Sequence, residues 1–220
     1  MADKEKKQLE SRSYMCEVRA LEDNGEEGSI ITGRPIVYAS VTDLGCFDEV
    51  IERGALERTD LTDVRFLINH DFSRIPLARS RRNNGNSTMQ LSVDSEGMEI
   101  RVQLDTENNA EARSLYSAVQ RGDISGMSFC FSIDEENWEN LDSDHPTRRI
   151  ISIGSVVEVS ACTFPAYDTT SINARSSSEA LERARLAVET ARQQTRDKDA
   201  EQDEKALELA KAKYDFKSKY

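Results

Sequence analysis

The stretch RGDISGMSFCFSI, residues 121–133, decides the architecture. Gly122 behind Arg121 reads as a helix stop, because glycine takes the left-handed conformation without steric cost. Beyond it Phe129, Phe131 and Ile133 alternate with Ser128, Cys130 and Ser132. Successive side chains of a strand point to opposite faces, so this is a strand with one apolar face and one face of small hydroxyl and thiol groups. The segment SVVEVSACTF, residues 155–164, is built the same way. There Val157, Val159 and Ala161 share one face, and Glu158, Ser160 and Cys162 the other. Two such strands lying close would put a carboxylate and a hydroxyl in one patch.

Outward from these two, the chain reads as short strand runs separated by turn signals, among them YMCEVRA, RPIVYAS, VRFLINH, STMQLSVD and MEIRVQL. Alternation on both sides of Asp94-Ser95-Glu96-Gly97 makes residues 87–104 a β-hairpin. One helix is expected over 108–121, where Ala112, Leu115, Tyr116 and Val119 form an apolar stripe, with Asn108 or Asn109 as cap. A shorter helix is expected around CFDEVIERGAL, residues 46–56, stopped by Gly54. After Pro165 there is no further Gly or Pro, and from Ser178 the chain is rich in helix formers. Glu179 with Arg183 and Glu201 with Lys205 have the favourable i, i+4 order. One or two long exposed helices follow, with apolar positions too sparse for a heptad seam. The expectation is therefore a strand-rich α+β protein: a disordered N-terminus over 1–13, one domain over 14–175, and a charged helical tail over 176–220.

The net charge is −12, and residues 176–220 carry ten basic and ten acidic side chains, so the whole excess belongs to residues 1–175. An acidic body repels phosphate backbones and anionic lipid, which argues against nucleic acid or a membrane surface as partner. The opening MADKEKKQLE has no apolar core, and no apolar run approaches the roughly 18 residues that span a bilayer, as expected of a cytosolic-type chain. Cys16, Cys46, Cys130 and Cys162 show no C-x-x-C spacing, and His70 and His145 are the only histidines. Free packed thiols are expected, with no metal and no cofactor.

A bare serine needs a base within hydrogen-bond reach, and the base needs a third group to orient it. His70 closes the apolar strand VRFLINH, whereas His145 sits in the polar loop DSDHPTRR, so His70 is the better-positioned base. Asp71, its neighbour, should point elsewhere unless the chain bends sharply; Glu158 comes from a different strand and is under no such constraint. From parity alone the competing readings stay open: a histidine at a strand end can be structural, and a strand glutamate can simply face solvent.

Three segments carry the reading further: FDEVIERGALERTDLTDVRFLINHD (47–71), GDISGMSFCF (122–131) and VVEVSACTFPAYDTT (156–170). In order and wording they resemble the phage prohead proteases of the HK97 type, capsid-maturation serine proteases similar in fold to herpesvirus assemblins. The resemblance covers roughly residues 14–172, with Leu56 and Arg53 standing where the family often has Phe and Pro. It implies a herpesvirus-protease-like β-barrel packed by helices, His70 of NHD as base, Ser128 of GMS as nucleophile and Glu158 of VEVS as third member. His145 is the rival for that last role, because the herpesvirus enzymes use a second histidine there. The resemblance further implies peptide-bond hydrolysis of scaffold and major capsid protein segments, and of the protease itself, inside the immature capsid in the host cytoplasm. A homo-oligomer is compatible with it. So is a catalytically inactive capsid-assembly or scaffold component of the same fold, although all three chemical positions are intact.

Overall fold

The computed structural model describes residues 9–16, 18–21, 28–163 and 177–217. The strands are β1 (Leu9–Met15), β2 (Val18–Leu21), β3 (Ser29–Val37), β4 (Val41–Asp43), β5 (Asp48–Ile51), β6 (Asp63–Ile68), β7 (Ala78–Arg81), β8 (Met89–Val93), β9 (Gly97–Leu104), β10 (Gly126–Glu139) and β11 (Thr147–Cys162). The helices are α1 (Ala110–Gln120) and α2 (Ser177–Lys217). They divide into two compact units, one of Met1–Val41, Val50–Asn137 and Arg149–Asn173, the other of Thr42–Glu49, Trp138–Arg148 and Ala174–Tyr220.

Seven strands form one sheet in the order β1-β10-β11-β5-β4, with β6 paired to β11 and β7 to β6; β2-β3-β9-β8 form a second sheet. The strand-rich α+β expectation holds. The closed barrel is not seen: among the described strands pairing ends at β1, β4 and β7 in the first sheet and at β2 and β8 in the second, and a barrel leaves no edge unpaired. In the first unit the apolar faces meet in one core that includes Ile31, Phe66, Ile100, Val102, Leu115, Met127, Phe129, Phe131, Val156 and Val159. Each such side chain contributes about 1.5–3 kcal/mol by leaving water. The alternation read from residues 128–133 thus has its apolar row in the core.

Helix α1 matches its sequence signals. Asn109 accepts from the Glu111 and Ala112 N–H groups, and Ala112, Leu115 and Val119 are buried. At its end the Asp123 N–H reaches the Ala118 carbonyl and the Gly122 N–H that of Val119, a Schellman arrangement with Gly122 at φ 78°. Two expectations fail. The helix expected over 46–56 is strand β5 followed by turns: β5 is paired on both sides, with β11 and β4, and Glu49, Val50 and Ile51 are buried in succession, so both of its faces are covered. The N-terminus expected to be disordered through residue 13 instead joins the sheet from Leu9, each residue from Leu9 to Met15 pairing with one of Ser132 to Gly126. Its polar composition did not signal this, because a strand added to an existing sheet is held by main-chain hydrogen bonds that any sequence can make. Residues 1–8 and Phe164–Thr170 of the third sequence segment lie outside the described residues.

The second unit has its own packing. Phe47 meets Trp138 edge-on at 4.9 Å, and the Arg148 guanidinium lies 5.6 Å from the Trp138 ring and 3.3 Å from the buried Glu49 carboxylate. On α2, Val188 and Ala191 are buried and Arg192 donates to the Leu141 and Ser143 carbonyls at 2.8 and 2.9 Å. Most of the other described side chains between 182 and 208 are exposed, with Lys205 paired to Glu201 at 2.6 Å.

The β8–β9 hairpin turns at Asp94–Gly97 as read, with Leu91 opposite Ile100 and Met89 opposite Val102. Gly97 sits at φ 145°, and a Cβ there would lie 2.0 Å from the Ile36 carbonyl oxygen, backbone that cannot move without breaking the β3–β9 pairing. Gly97→Ala should therefore lower stability by about 2 kcal/mol or more. Gly85→Ala, which meets nothing within 4 Å, should stay within about 0.5 kcal/mol. Chemical denaturation of the two variants checks this, and equal midpoints would refute it.

Candidate active site

The position of His70 is set by β6 and by the turn that ends it. β6 runs parallel to β11, with Arg65 beside Glu158 and Ile68 beside Ala161. Had it continued straight, His70 would face Thr163, roughly 16 Å along β11 from Glu158. Instead Asn69 and His70 both take positive φ, 51° and 57°, and the Asp71 N–H closes on the Ile68 carbonyl at 3.1 Å. Two successive left-handed residues without glycine are a strained arrangement, of order 1–3 kcal/mol each, that the surroundings must hold. The holding groups are explicit. Asn69 Nδ2 donates to Thr163 Oγ1 at 2.9 Å, and its Oδ1 accepts the Thr163 N–H at 2.9 Å. The His70 N–H donates to Ser160 Oγ at 3.0 Å.

That turn aims the imidazole back along β11. His70 Nδ1 lies 2.6 Å from Glu158 Oε2, and His70 Nε2 is hydrogen-bonded to Ser128 Oγ. The other carboxylate oxygen of Glu158 accepts from the Ser160 hydroxyl. Glu158 is fully buried, while the His70 side chain keeps 24% exposure. A carboxylate in a dry interior is tolerated only when donors satisfy it, and here they are the Ser160 hydroxyl and the imidazole N–H. With the carboxylate at Nδ1 to take the ring proton, Nε2 faces the Ser128 hydroxyl as an acceptor.

His70, Ser128 and Glu158 are thus brought together, from β10, β11 and the turn after β6. Asp71 is not part of the group: its Oδ1 accepts the Ser73 N–H at 3.1 Å, and it is exposed. His145 belongs to the second unit and lies 3.1 Å from Asp48 Oδ1 and 3.8 Å from Asp43 Oδ1. Those three have ligand atoms within 4.8 Å of one another, but exposed ion pairs of this kind need no metal to explain them. Arg149 pairs with Glu52 at 2.5 Å and stands nine residues before Glu158 on β11, roughly 30 Å along the strand, too far to serve as a donor to a carbonyl at Ser128. The residue that sequence reasoning placed on this face without a role is Ser160. Its signal was there, a hydroxyl two positions after Glu158 on the same side of the strand.

The caudovirus prohead serine protease family matches this chain over residues 15–184. The chain belongs to that family. Over 96 residues it is 35% identical to the prohead protease of Enterobacteria phage HK97, an aligned stretch that makes up 43% of this chain and 40% of that protein. This chain therefore spans less than half of the length of that relative. Among solved structures it is similar to the capsid assembly protease of bacteriophage T4, at 11% identity and a TM-score of 0.44, over 73% of this chain and all of the other. No helix among the described residues is long and apolar enough to cross a membrane.

The thiols around Ser128 are held protonated. Cys130 and Cys162 are buried. Burial raises the Cys130 pKa, against a hydrogen bond from Ser11, and raises that of Cys162 to about 12, with the nearby Glu158 charge adding to it. Burial also raises Cys16 to about 11. A raised pKa means that the reactive thiolate is scarce at pH 8 and gains only as the pH climbs toward the shifted value. Alkylation of Cys16 and Cys162 at pH 8 should thus be about 100-fold slower or more in the folded chain than in guanidinium. Mass-spectrometric timing of carbamidomethylation reads this, and modification of Cys162 at the unfolded rate would contradict it.

Proposed function

We propose that this chain is a serine endopeptidase of capsid maturation that works by Ser-His-Glu acyl transfer. One observation carries the proposal: a single imidazole bridges the buried Glu158 carboxylate and the Ser128 hydroxyl through its two ring nitrogens. Ser128 Oγ attacks the scissile carbonyl carbon while its proton passes to His70 Nε2. Glu158, 2.6 Å from Nδ1, stabilises the imidazolium that forms. The imidazolium then protonates the leaving amine, and water, deprotonated by the same ring, hydrolyses the ester. Backbone N–H groups around Gly126–Phe129 are the nearest main-chain donors in sequence for the developing oxyanion. Cys130 shares the face of Ser128, yet its raised pKa keeps it a packed thiol.

Family membership supplies the setting. The substrates we assign are scaffold segments and major capsid protein segments, and the protease itself, inside the prohead in the host cell. The catalytic part corresponds to residues 14–175, with β1 added to it. The charged tail over 176–220 serves as a scaffold or encapsidation signal.

Ser128→Ala and His70→Ala should each lower peptidase activity on the order of 10⁴- to 10⁶-fold. Glu158→Gln should cost about 10²- to 10⁴-fold, since nucleophile and base remain. Ser160→Ala should cost about 10- to 100-fold by loosening Glu158 and the His70 turn together. Rates on a capsid-protein substrate measure all four, and parental activity in Ser128→Ala would end the proposal. For the tail, a chain truncated at residue 175 should fail to enter precursor capsids; packaging at the normal level would remove that role.

A further inference from the structure

The nucleophile is not open to solvent. Ser128 has 0% exposure, and what lies over its edge of the sheet is the chain's own N-terminal strand. β1 runs antiparallel along β10, with Ser13 opposite Ser128 and Arg12 opposite Phe129. The Arg12 carbonyl oxygen accepts from Ser128 Oγ at 2.6 Å. A hydroxyl has one proton, so that carbonyl and His70 Nε2 stand at the same oxygen as alternative acceptors. An extended polypeptide that adds a strand to a sheet edge is a common way of binding peptide, with main-chain bonds giving affinity and alternate side chains giving selectivity. Here both parts are present. Ser11 bonds the Cys130 thiol and Ser13 the Cys162 thiol, on the face of the site. Arg12 is turned the other way, its guanidinium 5.6 Å from the Phe131 ring centroid and paired with Glu10 at 2.5 Å.

We propose that Leu9–Met15 is the first substrate of this enzyme, bound in cis as a substrate strand on β10 and cut between Arg12 and Ser13. The proposal rests on the acyl-transfer reading above. Ser128 Oγ forms an ester with the Arg12 carbonyl carbon as the Arg12–Ser13 amide bond breaks. The proton of Ser128 travels through His70 to the Ser13 nitrogen, which leaves as an amine. Water then opens the ester, restoring the Ser128 hydroxyl and giving Arg12 a free carboxylate. Cleavage splits the seven-residue strand, leaving four residues on one fragment, and its new negative charge stands near buried Glu158, which favours departure. Until then the edge is closed to other chains.

The same arrangement explains the small face of β10 and states the class of later substrates. They are extended segments with small side chains one residue before and one residue after the residue whose carbonyl is attacked, the places of Ser11 and Ser13.

The test is intact-mass and N-terminal sequence analysis of the purified full-length chain over time, at several concentrations, with reactivity of Ser128 toward a fluorophosphonate probe followed in parallel. The expected result is a product beginning at Ser13, formed with a half-time independent of concentration, accompanied by a rise in probe labelling. It should be absent in Ser128→Ala and in His70→Ala. An enzyme that is labelled at Ser128, or that cuts elsewhere, while residues 9–15 stay intact would overturn this proposal and leave the acyl-transfer reading standing. A Ser13 product whose rate grows with concentration would overturn binding in cis. Neither labelling nor cleavage under any condition would overturn the acyl-transfer reading and this proposal with it.

Discussion

A fully buried glutamate must be satisfied by donors, and in this chain that requirement organises the site. Glu158 has two carboxylate oxygens and two partners, the Ser160 hydroxyl and the His70 imidazole. Ser160 also receives the His70 backbone N–H at 3.0 Å, so the same hydroxyl ties the acid to the turn that carries the base. The turn itself is strained, with positive φ at both Asn69 and His70. Without it the imidazole would continue along the β6 direction, away from Glu158 and from Ser128. Strain, burial and hydrogen bonding thus depend on one another, and a change to any one of them should be felt at Nε2, the ring atom that faces Ser128.

Much of this was legible in the sequence. Strand parity put Ser128 and Cys130 on one face of their strand and Glu158, Ser160 and Cys162 on one face of theirs, and pattern and caps gave α1 and the Asp94–Gly97 hairpin. The resemblance selected His70, Ser128 and Glu158, and in the structure the His70 ring is hydrogen-bonded to each of the other two. What could not be read has physical reasons. The sharp turn at Asn69-His70 carries no glycine to announce it, since it is held by groups 90 or more residues away, Ser160 and Thr163. The strand at 48–51 looked helical because a short apolar run suits either period until its pairing partners are known. β1 looked disordered because its stability comes from the edge it joins, not from its own apolar content. Sheet closure depends on which strands pair, a matter of long-range contacts that local patterns do not contain.

The small polar face of β10 links the fold to the chemistry. β1 pairs along β10, and the Ser128 hydroxyl on this face reaches its Arg12 carbonyl at 2.6 Å. Burial on that face also keeps the Cys130 and Cys162 thiols protonated beside Ser128. The charged helix α2 belongs to the other unit, where Arg192 anchors it to the loop carbonyls of Leu141 and Ser143.

The central claim is that His70 stands between Glu158 and Ser128 with its proton on Nδ1. Proton and nitrogen-15 magnetic resonance of the chain labelled at histidine tests this directly, because each tautomer and each strong hydrogen bond leaves its own signature on the ring. The account predicts a slowly exchanging, strongly deshielded proton on His70 Nδ1 that is lost in Glu158→Gln, with Nε2 as the acceptor nitrogen of the ring. A His70 ring carrying its proton on Nε2, or exchanging freely with solvent and indifferent to Glu158→Gln, would contradict it.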